Sequence, residues 1–274
     1  MVITTLLENK SINKSLVSKH GLSIHIKLNN YNILFDVGPN DSFYKNAKTL
    51  GIDISIVDFV VISHGHFDHG GGLKTLLEVN SKAKIIISKY AFNEFYVKIL
   101  KVLKVNIGIK KFNNLRDRFI LIEDSYSINE NISIFGNVQK GTFFPYGNNK
   151  LYTKVNNELV HDDFKHEINM VIKEEKLNTL FCGCSHMGIS NIINHALNVL
   201  NIPIDTVIGG MHLYDPISRK SESDETIKLL SDELKDNGVK KYYTCHCTGS
   251  YAIDKLNKTM DNIIEEINTG SVIK

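Results

Sequence analysis

Little in this 274-residue chain interrupts it. Only four prolines occur, and no Pro/Gly/Ser-rich linker, low-complexity tract or short repeat divides the sequence, so a single domain over 1–274 is expected. No apolar run approaches the ~20 residues that a membrane-spanning helix needs. The start, 1-MVITTLLENKS-11, lacks the basic region, long apolar stretch and small-residue cleavage site of a signal peptide. An excess of one charge is missing too. A net charge of +2 is too even to mark a nucleic-acid or membrane surface. The four cysteines form two C-x-C pairs, Cys182/Cys184 and Cys245/Cys247. Neighbours two apart are poor disulfide partners, and a four-cysteine zinc knuckle calls for C-x2-C spacing. Small buried packing residues in a reducing, cytoplasmic compartment are therefore expected, with Cys184 set apart as a candidate ligand.

What is present is an ordinary globular composition, 42% apolar and 23% charged, arranged in alternating elements. Strands are expected at 2–7, 22–28 and 31–38, then a helix over 41–51 with Asp41 as N-cap and Gly51 as its stop. A buried strand, 58-DFVVIS-63, precedes a crowded loop and a helix over 72–80. A strand at 84–88 leads to a helix over 90–103, and the lysines of 98–111 read as the solvated face of a helix. Short strands and turns fill 118–160. Strands at 168–174, 177–182, 204–210 and 240–246 then alternate with helices over 188–201, 222–238 and from Ser250, and a last strand falls near 270–274. Two halves, each opening with antiparallel strands and adding βα units, predict an α/β protein of the αββα sandwich type.

Titratable residues gather after the strands, where sites form in layered α/β folds. Asp36 ends 31–38. His64, His66, Asp68 and His69 follow 58-DFVVIS-63. Cys184 and His186 follow 177-LNTLFC-182, His212 follows 204–210, and His246 lies in 245-CHC-247. In the extended start of 63-SHGHFDHGGG-72, alternate residues point the same way, so His64 and His66 can grip one metal while Asp68 and His69 turn toward a second. Imidazole and carboxylate ligands suit zinc, with manganese or iron as alternatives. The glycines 70–72 let the chain fold back into the next helix. His212, after 209-GG-210, is a candidate to bind an anionic substrate or to donate a proton. The loop 139–149 reads equally as pocket lining or plain surface. His20, His25, His161 and His195 have no second feature beside them and read as structural or surface residues.

The motif 64-HGHFDH-69 resembles the HxHxDH signature of the metallo-β-lactamase superfamily. The phrases 183-GCSHMG-188, 209-GGMHL-213 and 246-HCTG-249 resemble its dihydropterin-6-yl-methyl-aminobenzene-ribofuranosyl-phosphate synthase-like branch. The resemblance implies the αββα sandwich and two divalent metals. His64, His66 and His186 would hold one, and Asp68, His69 and His246 the other. It also implies a metal-activated water as nucleophile, Asp68 as a proton acceptor, and Asp36 behind a ligand histidine. The chain departs from the superfamily where a bridging aspartate is usual, since 183-GCSH-186 offers no carboxylate. Cys184 is an alternative ligand there, and His166 is an alternative to His186, which is preferred because it directly follows an apolar strand.

The expected function is a metal-dependent hydrolase or transferase acting on a small, anionic, phosphorylated or ester-like metabolite, with a pterin-type synthase as the specific form. A non-enzymatic metal or ligand sensor is the alternative. A di-iron redox centre calls for a carboxylate where His66 stands. A nuclease calls for a basic face or inserted domain that the even charge does not supply.

Overall fold

The structure is a computed structural model that describes residues 1–99, 103–112 and 116–274. The first half contributes β1 (Val2–Leu7), β2 (Ser23–Lys27), β3 (Asn32–Phe35), α1 (Ser42–Thr49), β4 (Phe59–Ile62), α2 (Phe67–Gly70), α3 (Leu73–Val79) and β5 (Lys84–Ser88). The middle supplies β6 (Phe95–Ile99), β7 (Leu103–Asn106), β8 (Phe119–Ile122), β9 (Ser125–Asn129), β10 (Ile132–Phe135), β11 (Leu151–Val155) and β12 (Glu158–His161). The second half adds β13 (Asn169–Lys173), β14 (Asn178–Phe181), α4 (Ile189–Asn198), β15 (Thr206–Gly209), β16 (Tyr214–Asp215), β17 (Lys220–Ser221), α5 (Asp224–Asp236), β18 (Lys241–Thr244), α6 (Ser250–Thr259), β19 (Ile264–Glu266) and β20 (Val272–Ile273).

Two seven-stranded sheets, ordered β20-β1-β2-β3-β4-β5-β8 and β19-β18-β15-β14-β13-β10-β9, face each other. Their central strands are apolar on both faces, as strands covered on both sides must be. In β4, Val61 enters the layer between the sheets, with Phe35, Ile86, Phe181 and Ile208. Val60 and Ile62 point outward onto Phe43 of α1 and Leu73 and Leu76 of α3. In the second sheet, Leu180 and Val207 point outward onto Ile192 of α4, Leu230 of α5 and Leu256 of α6. The result is the expected αββα sandwich. Each of these fully buried aliphatic side chains is worth roughly 1.5–3 kcal/mol of apolar transfer.

Helix starts follow local chemistry, with one difference from expectation. Ser223 caps α5 by accepting from Thr226 N. Asp41 stands at the N-cap of α1 but makes no side-chain cap bond. Asn40 does that work instead, its Oδ1 accepting from Ser42 N at 3.1 Å and Ser42 Oγ at 2.7 Å. Gly51, at φ +71°, ends the helix as expected.

The helix expected over 90–103 is not formed where the chain is described. Phe95–Ile99 and Leu103–Asn106 are an antiparallel pair, Tyr96 opposite Asn106, and residues 100–102 lie outside the described residues. Phe95 and Val97 alternate inward with Tyr96 and Lys98 outward, a period of two that the lysine spacing obscured. The pair joins β11 and β12 in a third, four-stranded sheet, β12-β11-β6-β7.

The strands that matter for the site run parallel, β3 beside β4, β14 beside β15, and β15 beside β18. Their carboxyl ends therefore share one edge of the sandwich.

Candidate metal centre

Five loops meet at that edge. The Nε2 atoms of His64, His66 and His186 are all buried and none has a hydrogen-bond partner. One ring nitrogen from each of the three residues nevertheless lies within 4.8 Å of the others. Three unpartnered nitrogens converging in a buried space is an arrangement a protein tolerates only where something else satisfies them. A second group lies alongside. His69 Nε2 is 3.2 Å from His246 Nε2, and Asp68 Oδ2 is 3.2 Å from His246 Nε2 and 3.8 Å from His69 Nε2. Cys184 Sγ is 3.2 Å from His69 Nε2 and also clusters with His64 and His69. The residues thus fit two divalent ions in chemistry and number of donors, with a thiol where a bridging carboxylate is usual.

The far side of most ligand rings is fixed. Asp36, fully buried, accepts from Ser63 N at 2.7 Å and from His69 Nδ1 at 2.6 Å. Ser63 Oγ gives its proton to Asp36 Oδ2 at 2.7 Å. The same oxygen is therefore free to accept from His64 Nδ1 at 2.9 Å. Asn148 Oδ1 takes His186 Nδ1 at 2.9 Å, and Asn9 Oδ1 takes His246 Nδ1 at 3.0 Å. The bonds to His64, His186 and His246 place the ring proton on Nδ1 and leave the Nε2 lone pair pointing inward, the form a metal ligand needs.

Electrostatics point the same way. Burial, then the neighbouring rings, holds His64 and His186 well below the ordinary histidine pKa, so both are neutral donors. His69 behaves oppositely. Burial lowers its pKa, but the carboxylates of Asp36 and Asp68 outweigh this and raise it to about 9 in the metal-free protein. Burial pushes Asp68 up, yet His69, His20 and His246 hold it well below the usual carboxylate range. Two carboxylates around one ring make a place that favours positive charge.

The backbone is strained at these loops. Asp36 (φ 61°), Ser185 (φ 57°), His212 (φ 50°) and His246 (φ 54°) are non-glycine residues in the left-handed region. His246 N is held by buried Glu8 Oε1 at 2.7 Å, and His186 N and Met187 N by buried Glu167 at 2.6 and 2.9 Å. Gly183 is needed for close approach, because a Cβ there would overlap Ser63 Oγ and lie 3.1 Å from His64 Nδ1.

His166, the alternative to His186, has both nitrogens engaged. Nδ1 accepts from Gly65 N at 2.9 Å and Nε2 bonds Asp162 Oδ2 at 3.0 Å. It thereby aims Asp162 toward His66, whose Nε2 is 3.9 Å away. His212 packs against His186 with ring centroids 4.3 Å apart and the rings tilted by 55°, its Nδ1 buried without a partner. Cys184, Cys247 and the partly buried His212 form one cluster, while Cys182 packs into the core under α4 to α6 and Cys245 into the layer between the sheets. All four cysteines are free.

Sequence reasoning passed over Asn9, Glu8, Asn148, Asp162 and Glu167, and it set His20 aside although His20 Nε2 is 3.2 Å from Asp68 Oδ2. Only Glu167, beside a histidine and directly before a strand, carried a local signal.

A cavity of about 370 Å³ opens over the centre. His66, Asp68, His186 and His246 form its floor; Val97, Ile107, Leu151 and Ile217 are apolar wall; Lys150 and His212 are polar wall.

Fold, ligand geometry and sequence agree on the class. Residues 20–113 match the family model described as the metallo-beta-lactamase superfamily, and the chain belongs to that superfamily. A relative from Methanocaldococcus jannaschii, named 7,8-dihydropterin-6-methyl-4-(beta-D-ribofuranosyl)-aminobenzene-5'-phosphate synthase, is 32% identical across 99% of this chain and 96% of its own. A crystal structure described as a metal-dependent hydrolase of the beta-lactamase superfamily is 30% identical and superposes with a TM-score of 0.83, covering 100% of this chain and 98% of its own. Zn(2+)-bound PqqB from Methylobacterium extorquens, 11% identical with a TM-score of 0.57 over 100% of both chains, shares the fold. The superfamily fold implies divalent-metal binding. Among the described residues no helix is long and apolar enough to cross a membrane.

Proposed function

We propose that this chain is an enzyme that holds two divalent ions, zinc foremost, and transforms a small phosphorylated metabolite in a pterin-linked group transfer of the kind its Methanocaldococcus relative is named for. The observation that carries this reading is the cavity itself. Its apolar wall suits a flat heteroaromatic ring, while Lys150 and His212 offer cationic and hydrogen-bonding groups to an anionic end such as the 5'-phosphate in the relative's name.

His64, His66 and His186 would hold one ion, and Asp68, His69, His246 and Cys184 the other. Bound there, divalent ions supply Lewis acidity toward a phosphoryl or carbonyl oxygen and lower the pKa of water. The remaining work falls to the chain. Asp68, whose carboxylate faces His69 and His246, would help to fix an ion and is also placed to accept a proton. Proton transfer also falls to His212, which lines the cavity against His186. Lys150, paired with Asp215, orients the anionic group, and the apolar wall excludes water from the ring.

Elemental analysis of protein purified without chelators, beside His66→Ala, tests the centre. The reading expects close to two zinc ions per chain, reduced in the variant, followed by turnover of a phosphorylated pterin with an arylamine acceptor. Turnover of phosphoesters with water alone would move the assignment to hydrolysis. Tight ligand binding without turnover, unchanged by Asp68→Asn, would make the protein a sensor.

A further inference from the structure

We infer that His20 is a positioning residue of the second metal position, holding the Asp68 carboxylate in the orientation that the ion needs; this rests on the metal-centre reading above. Four observations converge on it. His20 Nε2 lies 3.2 Å from Asp68 Oδ2, the same oxygen that is 3.2 Å from His246 Nε2. The His20 ring packs on the His246 ring at a centroid distance of 4.6 Å, so one side chain touches two of the ligands. Its backbone is held against the same loop, Leu22 N donating to Asp68 O at 3.3 Å. Gly21 makes this approach feasible: it sits at φ +141°, and a Cβ there would lie 2.5 Å from Asp68 O and 2.6 Å from Pro39 Cδ.

The geometry explains why Asp68 needs such help. Asp68 is the second residue of the short helix α2, in a loop where two histidine rings are braced from behind, His64 through Ser63 and His69 through Asp36. Among the described residues, the charged partners of its own carboxylate are the imidazoles of His20, His69 and His246. His20 brings its Nε2 to within 3.2 Å of that carboxylate from the cavity side, since His20 is half-exposed and lines the cavity. A carboxylate held by a donor loses little rotamer freedom on binding an ion, and such outer contacts are worth about 10- to 100-fold in metal affinity. His20 is not part of the hydrophobic core, so its loss should leave the metal-free fold unchanged.

The test is a zinc titration of metal-free protein, read by calorimetry and by competition with a chromophoric chelator, for wild type, His20→Ala and His20→Gln. The expected result has two resolved equivalents in the wild type. His20→Ala should weaken one of them about 10- to 100-fold and leave the other, together with the unfolding midpoint of the metal-free protein, unchanged. His20→Gln, which keeps an N–H donor on a side chain of similar reach, should recover most of the loss. Unchanged affinity for both ions in His20→Ala overturns the inference. Equal losses in the alanine and glutamine variants overturn the hydrogen-bond account. A wild type that binds fewer than two ions overturns the metal-centre reading instead, and this inference with it.

Discussion

Asp36→Asn is the substitution whose outcome the structure specifies most closely, because it changes neither size nor shape. The wild-type carboxylate is fully buried and accepts three bonds: Ser63 N on Oδ1, and Ser63 Oγ with His69 Nδ1 on Oδ2. An amide must set its NH2 against a donor in either orientation, Ser63 N in one and His69 Nδ1 in the other. The first leaves a buried backbone N–H without a partner. The second forces the His69 proton onto Nε2, the atom that faces His246 and Cys184. Loss of a charge-assisted bond with one buried donor unmatched should lower the stability of metal-free protein by roughly 2–3 kcal/mol. Affinity for the ion held by His69 should fall about 10- to 100-fold. Urea unfolding of the metal-free protein and a zinc titration read the two effects separately. A variant within about 0.5 kcal/mol of wild type, inside the range of ordinary surface changes, that also bound both ions normally would refute the account of Asp36 as the anchor of this loop.

Three other outcomes follow from the same geometry. Gly183→Ala places a Cβ onto Ser63 Oγ and beside His64 Nδ1, so it should destabilise by about 1–3 kcal/mol and disturb the ion held by His64; a wild-type urea midpoint would contradict this. Lys150→Met should raise KM for a phosphorylated substrate while leaving metal content unchanged, since Lys150 lines the cavity without touching a ligand; unchanged KM with an anionic substrate sinks its assignment to the anion. Metal-free protein should lose stability as pH rises from about 6.5 to about 9. His69 is protonated more readily folded than unfolded, its folded pKa near 9 set against burial by Asp36 and Asp68, so its contribution is complete below the unfolded value and gone above the folded one. Unfolding midpoints across that range check it, and Asp36→Asn should flatten the profile.

The framework of the site was legible in the sequence because its signal is local. An apolar run followed by HxHxDH, and four more strands each ending in a titratable residue, place the ligand candidates without knowledge of the partners. The groups that brace those ligands were not legible, because they are distant. Asn9 reaches His246 across 237 positions and Asn148 reaches His186 across 38, and single asparagines in loops have no pattern to mark them. His20 was set aside for the same reason. The error at 90–103 had a different origin. Lysines at 98, 101 and 104 imitate a helical face, and the competing period of two is settled by pairing with β11, which starts about fifty residues later.

The strained residues connect the two levels. Asp36, Ser185, His212 and His246 each lie within four residues of a strand end, and each adopts a left-handed backbone that costs on the order of 1–3 kcal/mol. A relaxed turn would carry these side chains along the strand direction and away from the centre. The reversed turn folds them back over the strand ends, where residues from parallel strands converge. Two rigid sheets, packed against each other and against helices on both outer faces, provide enough stability to hold four such turns. Of these four, His246 is in a proposed ligand set, and the side chains of Asp36 and Ser185 are hydrogen-bonded to Ser63 and Gly210 within the scaffold; His212 is neither. That the fold keeps it strained, packed at a tilt on His186 with Nδ1 unpartnered and buried, is the physical reason to place it with the substrate rather than with the scaffold.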